Sequence, residues 1–177
     1  MRGETQCHLV RSPLGTVYVY SRSGRPLRIT ISSQANRNPV SASPPPPRVA
    51  DVMEAIGDFF AGKEVSRHVT SMLLSDPRFT PFTKRVYSVV VSISCGNTLS
   101  YAEVARRAGF HGAARAVGEA MRRNPFPLLI PCHRVVRSDG ILGGYSGPPD
   151  AKTWLLEREG LSIDRTRQAP RLKGHAM

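Results

Sequence analysis

Alternation of apolar and polar positions marks the first elements of the chain. Residues 16–20 (TVYVY) and 27–33 (LRITISS) are rich in β-branched and aromatic side chains, and Leu27, Ile29 and Ile31 alternate with Arg28 and Thr30, the pattern of half-buried strands. The six residues between them, SRSGRP, suit a hairpin loop. The pattern then breaks. Residues 36–48 contain SASPPPP, and four prolines forbid both helix and ladder bonding, so a loop is expected, with a proline-rich ligand for a partner as the second reading. Helical spacing takes over at Asp51: it can cap, Glu54 follows three residues later, Val52, Ile56, Phe59 and Phe60 share a face, and Gly62 ends the run. Residues 64–78 are polar and show no clear period.

A sharper set of signals begins at Thr80, which caps a helix with Pro81 in its first turn and Phe82, Val86, Val89, Val90 and Ile93 on one face. Ser100 and Glu103 form a capping box that opens a short helix through Val104, Ala105 and Ala108. Gly109-Phe110-His111-Gly112 is a turn, and the next helix runs to about Arg123 with Ala113, Ala116, Val117, Ala120 and Met121 inward. Two short helices about a glycine turn outline a helix-turn-helix. The second helix is rich in small residues, so another backbone or a phosphodiester can approach it closely. Residues 124–131 (NPFPLLIP) hold three prolines that exclude helix and keep the chain extended. Val135-Val136 and Ile141-Leu142 flank Ser138-Asp139-Gly140 as a small hairpin. Residues 143–149 read as a flexible loop, and a last helix opens at Pro149 and Asp150, with Trp154 and Leu155 inward, and stops at Gly160.

Charge and cysteine usage narrow the function classes. The 177 residues carry 25 Lys and Arg against 13 Asp and Glu, a formal charge of +12, which points to an acidic partner, nucleic acid foremost. A merely soluble basic surface is the plainer alternative. MRGETQCHLV has no apolar core long enough for a signal peptide and no run approaches a membrane span, so a cytoplasmic, nucleoid-associated protein with no membrane partner is expected. Cys7, Cys95 and Cys132 form no CxxC, which signals neither a disulfide framework nor a zinc knuckle. Cys7 and Cys95 read as plain buried thiols, with a Cys7–Cys95 bridge as the alternative. Cys7, His8 and His68 lack paired spacing, so no metal and no cofactor are expected.

Cys132-His133-Arg134 directly after the proline-stiffened approach is the candidate for chemistry; a packed thiol is the alternative. A thiolate is the nucleophile, an imidazole can take its proton, and a carboxylate such as Glu159 can orient the imidazole. Neighbouring side chains on an extended segment point apart, which sets His133 to act through a water.

The stretch LLIPCHRVVRSDGILGGYSG (128–147) followed by WLLEREG (154–160) resembles the O6-alkylguanine-DNA alkyltransferase family, the methylated-DNA–protein-cysteine methyltransferases, whose hallmark Pro-Cys-His-Arg stands here as Pro131 to Arg134. SYAEVARRAG (100–109) and AARAVGEAMRRNPFPLLI (113–130) match its helix-turn-helix, and SPLG (12–15) its first strand's entry. The resemblance implies three parts: a ribonuclease H-like α/β domain over 1–79, a winged helix-turn-helix catalytic domain over 80–163, and a basic tail over 164–177, expected to be mobile. It implies single-turnover transfer of an alkyl group from O6-alkylguanine in double-stranded DNA to Cys132, by a protein that is monomeric and can bind DNA cooperatively. By the same resemblance His133 (through a water) and Glu159 activate the thiol. Asn124 ties the recognition helix to the active-site segment, and Tyr101 donates to the departing purine. Arg115 enters the base stack, with Ala114, Arg122 and Arg123 against the DNA. The Cys132 and Val135 carbonyls accept from the guanine amine, the Ser146 amide faces O6, and Tyr145 walls the pocket. Glu119 on the DNA-facing helix departs from this picture by opposing phosphate. Two other classes compete: a helix-turn-helix lesion sensor without chemistry, against which Cys132 speaks, and a cysteine hydrolase, for which no oxyanion-hole signature is visible.

Overall fold

A computed structural model describes residues 4–33, 40–145, 147–148, 150–166 and 169–173. The chain forms two compact units, one of Met1–Leu73 with Pro125–Leu129, the other of Leu74–Asn124 with Ile130–Met177. The architecture is mixed α and β, with small sheets and six α-helices among the described residues.

The first unit is built on an antiparallel meander, β1 (Thr5–Ser12), β2 (Gly15–Arg22) and β3 (Arg25–Ser32), in that order. Ser23 and Gly24 both have positive φ, the signature of a two-residue turn matched to strand twist, so the expected six-residue loop shrinks to two and both strands lengthen into it. The strand β1 escaped the sequence pattern because polar Thr5, Gln6, His8 and Arg11 obscure its alternation; pairing with β2, not its own composition, makes it a strand. Gly15 makes the tight return from β1: its φ is +107°, and a Cβ there would collide with the Ser32 carbonyl oxygen.

Helix α1 (Pro47–Phe60) packs Val49, Val52, Ala55 and Ile56 into a core shared with Val17, Val19, Ile29 and Ile31 of the sheet. It begins four residues before the expected Asp51. Pro46 is its N-cap and Pro47 its first residue, where a missing N–H costs nothing, so the last prolines start the helix rather than prevent it. Helix α2 (Arg67–Leu74) forms in the stretch that lacked a clear period, burying only Val69, Thr70 and Leu73. Pro125–Leu129 belongs to this unit: the Ile29 amide donates to the Pro125 carbonyl at 2.7 Å, and Phe126, Leu128 and Leu129 are buried.

In the second unit α3 (Pro81–Val91), β4 (Leu99–Ser100), α4 (Tyr101–Arg107) and α5 (Ala114–Arg122) follow one another. The two expected caps form: Thr80 accepts from the Thr83 amide and Ser100 from the Glu103 amide, both at 3.1 Å. Buried Tyr87 joins the α3 face and donates to the Ala120 carbonyl at 2.8 Å. Ala116, expected inward, is exposed; Val117, Ala120 and Met121 carry the buried side of α5.

Three further expectations change. Residues 132–134, expected extended, form one 3-10 turn. The expected hairpin reduces to a tight turn, Arg137 N–H to Ile141 O at 2.9 Å, while β5 (Val135–Val136) pairs in parallel with β4. After α6 (Ala151–Arg158), the tail expected to be mobile from Asp164 onward is drawn back: β6 (Ile163–Asp164) and β7 (Arg171–Leu172) form an antiparallel pair with Leu172 buried, because Leu172 finds a small core to join.

Candidate active site around Cys132

The reacting segment sits at the junction of α5, the 3-10 turn and α6. Leu128 takes a left-handed conformation, φ +75°, which only the surrounding packing can impose on a leucine. The Asn124 side-chain amide, buried at the end of α5, donates to the Ile130 carbonyl at 2.8 Å and so holds the two sides of the intervening loop together. The turn beyond it is closed by Cys132 N–H to Ile130 O at 2.7 Å and Arg134 N–H to Pro131 O at 2.9 Å.

Cys132 is buried. Burial pushes its thiol pKa up; a hydrogen bond from the Asn124 side chain, the Lys152 charge and the amides of Cys132 and His133 pull the other way, all of them favouring thiolate. His133 is wholly buried, and its Nε2 lies 2.9 Å from Glu159 Oε1. Burial lowers the imidazole pKa against the raising effect of Glu159, so the ring is neutral at pH 7. Burial alone would raise the Glu159 carboxyl, but hydrogen bonds from His133 and Arg134 outweigh it and hold the group at about 2. An ionised carboxylate only accepts, so Nε2 carries the ring proton and Nδ1 presents a lone pair. That tautomer is the one a proton acceptor needs.

Arg134 and Lys152 complete the site, and the sequence reading assigned neither a role. Arg134 clasps Glu159 through Nε and Nη2 at 2.8–3.1 Å while Nη1 donates to the Ile93 carbonyl at 2.6 Å, and the Gly96 amide reaches the same carboxylate at 3.3 Å. Lys152, on the buried face of α6, donates to the Val135 carbonyl at 2.6 Å, and burial lowers its pKa to about 8. The signal in the sequence was a lysine in register with Leu155 and Leu156 on an inward helical face.

Tyr101 opens α4 directly after β4. Its ring lies against α5 where a Cβ on Gly118 would be 3.9 Å away, and its hydroxyl lies against Gly143, φ +72°, where a Cβ would be 3.1 Å away. The small residue in α5 thus accommodates an aromatic ring. Burial, and then Cys132, raise the Tyr101 pKa, so its hydroxyl stays protonated and able to donate. Tyr145 is turned edge-on to His133, with ring centres 6.5 Å apart. Val135 is buried in β5, and Ser146 lies outside the described residues.

The basic residues stand apart from this buried set. Arg115 is exposed in the first turn of α5, next to half-buried Ala114. Arg122 and Arg123 both pair with Glu119 at the surface, so the acidic residue that opposed phosphate is engaged by two arginines. Exposed pairs of this kind are worth little and exchange readily. Among the described residues no group of His, Cys, Asp and Glu is arranged to hold a metal, and no helix is long and apolar enough to cross a membrane.

Comparisons with known proteins point to one family. The family described as 6-O-methylguanine DNA methyltransferase, DNA binding domain, matches residues 81–161. A methylated-DNA–protein-cysteine methyltransferase of Methanothermobacter thermautotrophicus is 46% identical over 122 residues, 69% of this chain and 67% of the relative. The Mus musculus protein of that name is 55% identical over 82 residues, 45% of this chain, so the alignment spans only 39% of that relative. The crystal structure of Mycobacterium tuberculosis O6-methylguanine methyltransferase superposes with a TM-score of 0.68 at 30% identity, covering 88% of this chain and 93% of its own. A structure of that protein in complex with DNA gives 0.68 at 31%, covering 87% and 92%. With a relative 46% identical and matched over 67% of its length, and a solved structure matched over 93% of its own, the chain belongs to the methylated-DNA–protein-cysteine methyltransferase family.

Proposed function

We propose that the protein repairs alkylated DNA by moving the alkyl group from O6 of guanine in duplex DNA onto Cys132, once per molecule. The observation that carries this reading is Cys132 set in a turn beside a neutral His133 whose tautomer Glu159 dictates. His133 Nδ1 receives the thiol proton, directly or through a water. Sγ then bonds to the alkyl carbon, the carbon–O6 bond breaks, and its electron pair stays with the guanine, which is neutralised by a proton. Tyr101, protonated and at the mouth of α4, supplies that hydrogen bond or proton. Asn124 supports the thiolate and ties α5 to the reacting turn. Val135, Tyr145 and Ser146 line the base pocket, the Cys132 and Val135 carbonyls and the Ser146 amide meeting the guanine edge. A base inside a duplex is out of reach, so the nucleotide is flipped, at a cost of a few kcal/mol. Arg115 fills the gap, and Ala114, Arg122 and Arg123 meet the backbone.

The same reading takes the molecule as a ribonuclease H-like domain over 1–79, a winged helix-turn-helix domain over 80–163 and a basic tail, acting as a cytoplasmic, nucleoid-associated monomer that can bind DNA cooperatively. Its support is the three-stranded meander under α1 in one unit and the α4–turn–α5 pair in the other. No cofactor enters the chemistry.

Weighing the intact chain after incubation with excess O6-methylguanine duplex tests the proposal. The mass is expected to rise by one methyl group and stop, and Cys132→Ala is expected to take up none while still binding DNA. Methyl uptake by Cys132→Ala, or product formation beyond one equivalent, overturns it.

A further inference from the structure

We propose that the carboxy-terminal strand pair is a positioning element for the base pocket, with Leu172 as its anchor. This inference rests on the reading of Cys132 as the alkyl acceptor. The matched family segment ends at residue 161, and β6 and β7 lie beyond it. Those strands do more than pair with each other. The Leu142 amide donates to the Pro170 carbonyl and the Leu172 amide to the Gly140 carbonyl, both at 3.1 Å, and Ile141 bridges Arg171. Residues 140–142 are thus bridged to β7 at Ile141, and the Lys173 amide closes the far edge on the Ser162 carbonyl at 2.9 Å.

Side chains repeat the connection. Leu142 is buried with Val136, Leu156, Ile163 and Leu172, and Leu161 packs against the group. Two of those partners, Ile163 and Leu172, come from the strand pair.

The place where Leu142 is held sets the course of the next three residues. Gly143 takes a left-handed turn against the Tyr101 hydroxyl, and Tyr145, two residues on, faces His133. Residues 143–145 have no ladder of their own, so their path into the pocket starts from Leu142. Loosening Leu172 shifts that starting point and widens the space between Tyr101 and Tyr145. The turn that carries Cys132 has its own closing bonds and is untouched. The strand pair therefore governs how well the base is gripped and leaves the nucleophile as it is. A misplacement of about 1 Å in a positioning group costs on the order of a hundredfold.

Leu172→Ala and Leu172→Met, in the full chain, test this with a free O6-alkylguanine base as substrate. Leu172→Ala is expected to raise the base concentration for half-maximal alkylation by at least about tenfold. Its limiting rate, and the rate at which iodoacetamide modifies Cys132, are expected within about twofold of the parent, because the nucleophile's own turn is intact. Leu172→Met is expected to restore the parent value. Hydrogen exchange on the same samples is expected to show the Leu142 amide exposed in Leu172→Ala, with the Val104 and Val117 amides still protected. An unchanged half-maximal concentration with Leu142 exposed overturns the proposal, as does loss of protection across α4 and α5 together with a fall in every rate. A parent protein that takes up no alkyl group overturns the reading of Cys132 and this proposal with it, a failure told apart from that of the strand pair because exchange at Leu142 is read independently.

Discussion

Glu159 is the residue that ties the buried polar groups together. One carboxylate fixes the His133 tautomer, neutralises Arg134 and receives the Gly96 amide. Replacing it with glutamine keeps the shape but lets Nε2 meet an amide that can donate, so the lone pair at Nδ1 is no longer guaranteed. Glu159→Gln is expected to slow methyl uptake by on the order of a hundredfold, the usual scale of a lost acid–base arrangement. The pH dependence of stability has a definite sign. The folded carboxyl sits at about 2 against 4.5 for the free group, so its contribution is complete above pH 4.5 and disappears as pH falls toward 2. The shift corresponds to about 3 kcal/mol. His133, lowered by burial, acts in the same direction below its ordinary value of 6.5, since the unfolded chain takes that proton first. Urea melts at pH 7 and pH 3 are expected to show a steep acid loss in the parent and a shallower one in Glu159→Gln; equal slopes would assign the acid sensitivity elsewhere.

At the scale of elements, the glycine stops and the caps at Thr80 and Ser100 were legible; the start of α1, where Asp51 lies inside the helix rather than capping it, and the irregular joints were not. Thr80, Ser100, Gly62 and Gly160 mark helix ends in one dimension because capping is a local exchange of side-chain and backbone groups. The 3-10 turn at Cys132 was illegible because Asn124, which holds the two sides of its approach, lies several residues upstream. Gly118 illustrates a third case: its composition signalled close approach, and only the fold names Tyr101 as the partner. A Cβ there meets the ring at 3.9 Å, an ordinary contact, while alanine is the better helix former. Gly118→Ala is therefore expected to gain up to about 1 kcal/mol, read as a higher melting temperature with methyl uptake kept. A loss of stability would show that the ring leaves no room for a methyl group.

For the molecule as a whole, charge decides how it meets DNA. A formal charge of +12, with Arg115 exposed on α5 and Arg122 and Arg123 held only by a surface acid, suits contacts to phosphate rather than to particular bases. Affinity for undamaged duplex is expected to fall linearly in log–log terms with salt, by about 0.9 per phosphate contacted, and to vary little with flanking sequence. Titrations at several salt concentrations on two unrelated duplexes check this, and a strong preference for one of them would favour a sequence-specific regulator.

By itself the sequence determined most of the elements bounded by local chemistry, the basic surface and the candidate nucleophile, because caps, periods and a Pro-Cys-His-Arg run are properties of neighbouring residues. The tertiary structure decided what depends on residues far apart in the chain. It brought Glu159 to His133 and Arg134, buried Lys152 beneath the Val135 carbonyl, laid Tyr101 over Gly118, and paired Arg171 and Leu172 of the basic tail with Asp164 and Ile163. A carboxylate 26 positions from its imidazole has no signature in local spacing; burial keeps the imidazole neutral, and hydrogen bonds from His133 and Arg134 keep the carboxylate ionised against that same burial.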